Sequence, residues 1–434
     1  MIRQSAQATG DSALEALRGW TADEPIVLLH SGRYHPLWAT RSLIARPRLW
    51  FRYTADRRSE LNADSSEAPK SKIQNPQFSH CLWPDLRLLL DMFPGRWMGY
   101  FSYDLCRLIE PGKLSGRAGD WPLVELAWCP EVEEMRSAEC GARDPEAESA
   151  RDSRSNAVGI TSNFTRRGYD AAVRRVLEYI GAGDVFQVNL AQRFTAEYNG
   201  EPRDLYERLA AISPAWYGAY LELPGGRAIL STSPELFLRL DGRHVTTRPI
   251  KGTLAASSDP ARLRLSAKDT AELNMIVDLM RNDLGRVCSY GSVRVTEARA
   301  IETHPTIHHG VATIEGHLHE SKDVVDLLKA TLPGGSVTGA PKVRAMQIID
   351  ELEPDPRGPY CGAIGCISKD ELHLSIAIRT MLLRSIPHSA SRIPHHDVCF
   401  SVGGGIVADS KPADEYEETL TKASAMVAAL AQPS

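Results

Sequence analysis

Four short apolar runs crowd into residues 218–247: Gly218–Leu223, Ala228–Thr232, Leu236–Leu240 and His244–Thr247. Gly225-Gly226 and Asp241-Gly242 stand between neighbouring runs, and such turn pairs between strand-length segments read as hairpins. Hairpins force antiparallel pairing, because the breaks are too short for the crossover that a parallel pair needs. Helices interrupt this pattern. Tyr169–Ala182 carries Val173, Val176, Leu177 and Ile180 at helical spacing and ends at Gly183-Asp184, before a strand at Val185–Arg193. Ala261–Val287 reads as one long helix with Leu273, Ile276, Val277, Met280 and Leu284 on its apolar stripe. Val324–Leu332 and Pro341–Leu352 are two more, the second opened by Pro341. Strands follow at Cys361–Ser368, Leu372–Leu383 and Val398–Val407, then a last helix at Ala413–Leu430. Before residue 130 the pieces are strands at Ile26–Leu29 and Trp97–Tyr103 and a helix at Leu86–Met92. The fold class that results is α+β with antiparallel sheets, not a parallel doubly wound sheet.

A chain of 434 residues can bury one large core or two modest ones. Thr54–Lys72 and Glu131–Asn156 are polar and almost free of large apolar residues, so the second is read as a boundary between an N-terminal region, 1–156, and a domain at 157–434. The net charge of −5 comes without a basic block, which argues against nucleic acid and against a polybasic membrane surface. No apolar run is long enough to span a bilayer, and the first residues lack a signal-peptide core. Eight scattered cysteines without a CxxC pair suggest reduced thiols and a cytoplasmic protein. Nucleotide-type phosphate loops are absent from the sequence.

Several constellations could carry chemistry. Lys251 ends the run Arg248-Pro249-Ile250 and is followed at once by Gly252. A lysine beside glycine has an open approach on one side, and burial lowers its pKa toward nucleophilic use; with its head in water it would be an ordinary strand-rim residue. Asp269 and Glu272 share one helix face, and Glu415 and Glu418 share another, with Lys422 one turn on. Either pair alone is a solvated face, whereas four carboxylates from two helices suit a hard divalent cation such as magnesium. Gly403-Gly404-Gly405 follows a strand and precedes the acidic helix, either as a flexible turn or as bare N–H groups for an oxyanion. The glycine-rich loop 332–342, with Ser336 and Thr338, runs into a helix N-terminus, where anions are favoured. Arg379, at the end of the apolar run Leu374–Ile378, is either salt-bridged or grips a carboxylate. Glu235, in Ser231–Leu236 sixteen residues upstream of Lys251, is a second candidate group, whereas Tyr360 and His309 are weak signals one by one.

Together these segments resemble the chorismate-utilising enzymes, the family of the anthranilate synthase large subunit, aminodeoxychorismate synthase component I and the isochorismate and salicylate synthases. The likeness spans residues 164–428. VFQVNL (185–190), SPEL (233–236), PIKGT (249–253), MIVDLMRNDLGR (275–286), PGGSVTGAPKVRAMQIIDELEP (333–354), YCGAIG (360–365), IRT (378–380) and GGGIVADS (403–410) carry it. The resemblance implies an anthranilate synthase component I-like fold, two large mainly antiparallel sheets packed together and flanked by helices. It implies magnesium held directly by Glu272 and Glu418 and through water by Asp269 and Glu415, with the metal on the ring carboxylate of chorismate. Tyr360, Arg379 and N–H groups near Gly403, Gly404 and Gly405 would take the enolpyruvyl carboxylate. His309 and Ser336 would line the ring pocket, Lys422 would join the substrate-binding side chains, and Glu235 would be the general acid at the 4-hydroxyl.

Members of that family differ at two informative positions. Isochorismate-forming members carry a lysine base where this chain has Gln187. Anthranilate synthases have alanine in the PIxGT segment, whereas aminodeoxychorismate-forming members have the lysine found here at 251. The resemblance thus implies covalent attack by Lys251 and amination of chorismate at carbon 4, on the route to 4-aminobenzoate and folate. Ammonia would come from solution or from a separate glutamine amidotransferase subunit, component II, since no Gly-x-Cys-x-Gly turn occurs in the chain. Anthranilate formation is the alternative. A non-catalytic chorismate-fold protein is a third reading, weakened by the presence of Glu235 and all four carboxylates. Near the N-terminus, Ile26–Gly32 is similar to the segment that shapes the tryptophan pocket of anthranilate synthases, and Ser213-Pro214-Ala215 falls in the region of its wall.

Overall fold

The expected hairpins form. In a computed structural model, which describes residues 11–21, 24–63, 76–115, 117, 119–137, 159–303, 307–386 and 394–431, Tyr217–Leu223 pairs antiparallel with Arg227–Ser233. The turn between them uses Gly225 and Gly226 at φ of +79° and +66°, a region that favours glycine. Leu236–Asp241 pairs likewise with His244–Arg248. The described strands form one sheet of ten and one of eleven, and their pairings along the site are antiparallel, as the α+β reading requires.

These two consecutive hairpins belong to different sheets. Arg227–Ser233 lies in the ten-stranded sheet and Leu236–Asp241 in the eleven-stranded one, so the chain changes sheet at Pro234-Glu235. Another crossing, from the eleven-stranded sheet to the ten-stranded one, falls at residues 377–379, between Glu371–Ile376 and Thr380–Ser385. The expectation of one strand over Leu372–Leu383 is corrected by this crossing. An apolar run looks the same in sequence whether it stays in one sheet or moves to the next. Arg379 makes the turn at φ +49°. The two crossings are tied together: the Thr232 N–H donates to the Arg379 carbonyl at 3.1 Å, and the Ile376 N–H to the Glu235 carbonyl at 3.1 Å.

The long helix read over Ala261–Val287 is likewise two helices, Pro260–Leu265 and Ala267–Gly285. Ser266 separates them, its side chain accepting the Asp269 N–H at 3.2 Å as an N-cap. Pro341 precedes its helix, Lys342–Leu352, at the N-cap position.

Strands from the N-terminal region complete both sheets. Val27–His30, Arg41–Ala45 and Val132–Arg136 extend the ten-stranded sheet, and Leu49–Tyr53, Ser59–Ala63, Arg96–Phe101 and Val124–Cys129 extend the other. The boundary expected at residue 156 lies outside the described residues, as do parts of both polar stretches. One buried cluster mixes Trp97 and Phe101 with Phe237, Leu273 and Ile376, each large side chain contributing about 1.5–3 kcal/mol. No helix among the described residues is long and apolar enough to cross a membrane.

Candidate active site

Glu235 sits on one crossing between sheets and Arg379 on another, and the hydrogen bonds between the two crossings bring the segments together. Glu235 is 4% exposed, and burial raises its carboxyl to about 7 although the Ser336 side chain and the Lys251 charge pull it down. Lys251 lies on the strand Ile250–Ala255, whose pairing with Ile307–His317 slips between Ile250 and Thr253. Bulges of this kind re-aim a side chain. Here the Lys251 Nζ donates to the Ser336 carbonyl at 2.9 Å. Burial holds the Lys251 ammonium below its usual range; Glu272, Glu235 and Glu418 oppose that shift, while Lys422 adds to it. Lysine, general-acid candidate and acidic cluster therefore share one electrostatic neighbourhood.

The glycine beside the lysine does something other than expected. Gly252 has φ +80°, and a Cβ there would lie 2.8 Å from Leu263 Cδ1 and 3.0 Å from the Asp269 Cβ and Cγ. The space read as an open approach is filled by Leu263 of the helix Pro260–Leu265 and by Asp269 of the helix that also carries Glu272. Its missing side chain lets that helix close on Lys251.

Burial raises the Glu272 carboxyl; Lys251 and Lys268 pull it down, and Asp269 and Glu418 push it further up. Glu415 is also raised by burial and accepts a hydrogen bond from the Ser410 hydroxyl at 2.6 Å. Burial raises Glu418 as well, but Lys422 at 2.7 Å, with Lys268 and Lys251, outweighs it and holds this carboxyl low. Among the described residues no three such side chains are gathered closely enough to hold an ion as they stand. Lys422 and Lys268, the latter 3.9 Å from Glu272, supply positive charge instead. The donor set still suits a hard cation, since it consists of oxygens whose mutual repulsion a divalent ion would relieve. Lys268 escaped the sequence reading because a lysine four residues from a glutamate marks any solvated helix face.

Gly403, Gly404 and Gly405 are not a flexible turn. They lie inside the strand His395–Ile406, paired with Ala191, Leu190 and Asn189 of Gln187–Asn199. A Cβ on Gly404 would come within 3.0 Å of Glu415 Oε2 and 3.6 Å of Glu418 Oε1, so glycine is what admits the acidic helix here. On the opposite side, pairing with Thr380–Ser385 stops at Phe400, leaving that edge without a strand neighbour from Ser401 onward among the described residues. The Gly403 carbonyl accepts from Lys422 Nζ at 2.9 Å. Gln187 is 1% exposed, and its amide nitrogen would lie 2.0 Å from a Gly405 Cβ; neither amide atom finds a hydrogen-bond partner among the described residues.

Arg379 forms no ion pair with a described carboxylate, and burial lowers its guanidinium to about 10. Its sequence alternative, an internal salt bridge, is therefore not what the fold makes of it. Tyr360 is buried beside Cys361, whose thiol burial pushes up to about 11, Arg357 lowering it and Glu235 among the charges that raise it. His309 is buried, with Nδ1 3.1 Å from the Thr253 hydroxyl on the strand that bears Lys251. Ser336 is buried in the short turn Gly335–Val337. Gly32 approaches the Ala215 carbonyl, so the segments expected to wall a tryptophan pocket lie side by side.

A half-buried lysine and a near-neutral carboxyl beside an acidic cluster and an unpaired guanidinium define a site for a small anionic substrate in a two-sheet α+β enzyme. Residues 38–428 match the family described as chorismate binding enzyme, and the chain belongs to that family. It is 40% identical to aminodeoxychorismate synthase component 1 of Escherichia coli, with 91% of each chain covered. It is 38% identical to anthranilate synthase component 1 of Thermus thermophilus, covering 79% of this chain and 78% of the relative. Among solved structures, anthranilate synthase component I from Streptococcus pneumoniae superposes with a TM-score of 0.70 at 28% identity, covering 91% of this chain and 93% of that one.

Proposed function

We propose that this chain is the chorismate-binding component of an aminodeoxychorismate synthase, converting chorismate and ammonia to 4-amino-4-deoxychorismate. One observation carries the reading: Lys251 and Glu235, which feel each other's charge around the shared Ser336, have pKa values displaced in opposite directions, down for the amine and up to about 7 for the acid. That is the division of labour a nucleophile and a proton donor need at neutral pH.

In the reaction, neutral Lys251 forms a bond to ring carbon 2 as both ring double bonds shift, C1=C2 to C1=C6 and C5=C6 to C4=C5, and the 4-hydroxyl departs, taking a proton from Glu235 to leave as water. Ammonia then bonds to carbon 4, both double bonds return to C5=C6 and C1=C2, and the C2–N bond to Lys251 breaks with its electron pair leaving on the lysine nitrogen. Glu235 recovers a proton from the incoming ammonium, and the enolpyruvyl group stays on the ring. Arg379, with Tyr360 and the free edge near Gly403–Gly405, grips the enolpyruvyl carboxylate, and His309 and Ser336 border the ring. Glu272 and Glu418 would hold magnesium, with Asp269 and Glu415 behind them. When bound, the ion would neutralise the ring carboxylate and fix its position. Gln187, a neutral amide, offers no base for activating water at carbon 2. A glutamine amidotransferase, a second component alongside this one, would supply ammonia in a cytoplasmic complex.

Anthranilate synthases among the relatives keep the alternative product in view. Incubation with chorismate, magnesium and an ammonium salt, with and without an added amidotransferase subunit, separates the two. Aminodeoxychorismate by mass spectrometry with no pyruvate in a lactate dehydrogenase couple is the expected result. Stoichiometric pyruvate with anthranilate would overturn the reading.

A further inference from the structure

Behind the loop that receives Lys251 lies a buried ion pair that the reaction does not use. Lys342, first residue of its helix, bonds through Nζ to Asp283 Oδ2, to the Thr331 carbonyl at 3.2 Å and to the Pro333 carbonyl at 2.9 Å. Those three acceptors use all three donors of an ammonium group. Asp283 belongs to the helix Ala267–Gly285, and its other oxygen accepts from Arg286 at 3.0 Å, while Arg286 also reaches the Ala330 carbonyl. One carboxylate on the helix of Asp269 and Glu272 thus gathers two cations that clasp the backbone at residues 330, 331 and 333.

The loop has no slack beyond that clasp. A Cβ on Gly334 would stand 2.7 Å from Ile376 Cδ1, and one on Gly335 2.8 Å from Leu279 Cδ2. The next residue is Ser336, whose carbonyl takes the Lys251 ammonium and whose side chain helps to hold the Glu235 carboxyl down. A backbone wedged between the strand Glu371–Ile376 and the acidic helix passes any shift at Pro333 straight to Ser336.

We propose that Lys342, anchored by Asp283, is a positioning residue that holds Ser336 in register with the helix Ala267–Gly285, so that Lys251 and Glu235 face the substrate together. The inference deepens the function proposed above and rests on it. It leads to a specific kinetic expectation, because misplacing reacting groups by an ångström costs on the order of 100-fold in rate. Lys342→Met is expected to lower kcat about 100-fold while KM for chorismate changes little. Loss of the Ser336 contact should also move the alkaline limb of kcat/KM to higher pH, since that contact holds the Glu235 carboxyl down. Lys342→Arg, which keeps a charge on Asp283 and donors for the carbonyls, should recover part of kcat.

These variants and Asp283→Asn would be followed by pH–rate profiles and thermal unfolding, with chorismate and ammonium chloride as substrates. A kcat that falls only in step with melting temperature, with the limb unmoved, would overturn the proposal in favour of a purely structural clamp. Failure of all three variants to fold would do the same. Lys251→Ala run in parallel separates the two readings. If it still forms the aminated product, the nucleophile assignment fails by itself, and the clamp is judged on the Glu235 limb alone.

Discussion

Glu235 is the residue whose behaviour depends most on burial. Its folded pKa of about 7 exceeds the ordinary 4.5, so the protonated form is favoured by the fold. Stability from this group is intact below the lower value and is lost as pH rises through the higher one. Glu235→Gln is therefore expected to stabilise the protein at about pH 8 by up to about 3 kcal/mol, and by little at about pH 5. On the proposed mechanism the same change removes the proton donor, so turnover should fall by about 10²–10⁴-fold and the alkaline decline of kcat/KM near neutrality should vanish. Thermal unfolding at the two pH values and a pH–rate profile check both halves. At this scale the sequence was readable where chemistry forces an uncommon residue next to a special one, as at Lys251-Gly252 and Pro234-Glu235. It was unreadable for Lys268, which looks like any helix-surface lysine, and for the purpose of Gly252, since a missing side chain does not say what will fill its place.

Among the elements, each acidic helix closes on a strand through one glycine, Ala267–Gly285 at Gly252 and Pro412–Ala431 at Gly404. Gly252→Ala would put a methyl group at φ +80° and within 3.0 Å of Leu263 and Asp269. Gly225→Ala meets the same backbone penalty at φ +79° with nothing within 4 Å. Each should lose roughly 1–3 kcal/mol from backbone strain in urea unfolding. Only Gly252→Ala should also lose activity, because it alone pushes the helix of Asp269 and Glu272 off the lysine. Comparable losses of kcat in both would show that strain, not helix approach, matters at this glycine. Helices and hairpins were legible here from period and turn chemistry. What hid was the change of sheet, because Leu372–Leu383 keeps one apolar character through the crossing, and the capping break at Ser266, because serine is also tolerated inside helices.

Across the molecule, both sheets are shared by strands from either end of the chain. A fragment beginning at residue 157 would expose the edge of Tyr217–Leu223, which Val27–His30 covers, and that of Ala363–Ile367, which Arg96–Phe101 covers. Bare edges of this length invite aggregation, so the fragment is expected to be insoluble or unfolded by circular dichroism. A soluble, chorismate-binding fragment would instead show that residues 157–434 fold alone. Interleaving of this sort was beyond the sequence, since a polar stretch at 131–156 reads the same as a linker or as an excursion within one body. The account as a whole turns on a transient bond between Lys251 and the substrate ring. Chorismate mixed with enzyme and magnesium but no ammonia, then quenched in denaturant, should give an intact-mass gain equal to chorismate less one water, mapped to Lys251 and absent from Lys251→Ala. Full turnover to the aminated product by Lys251→Ala, with no adduct on the native protein, would contradict it.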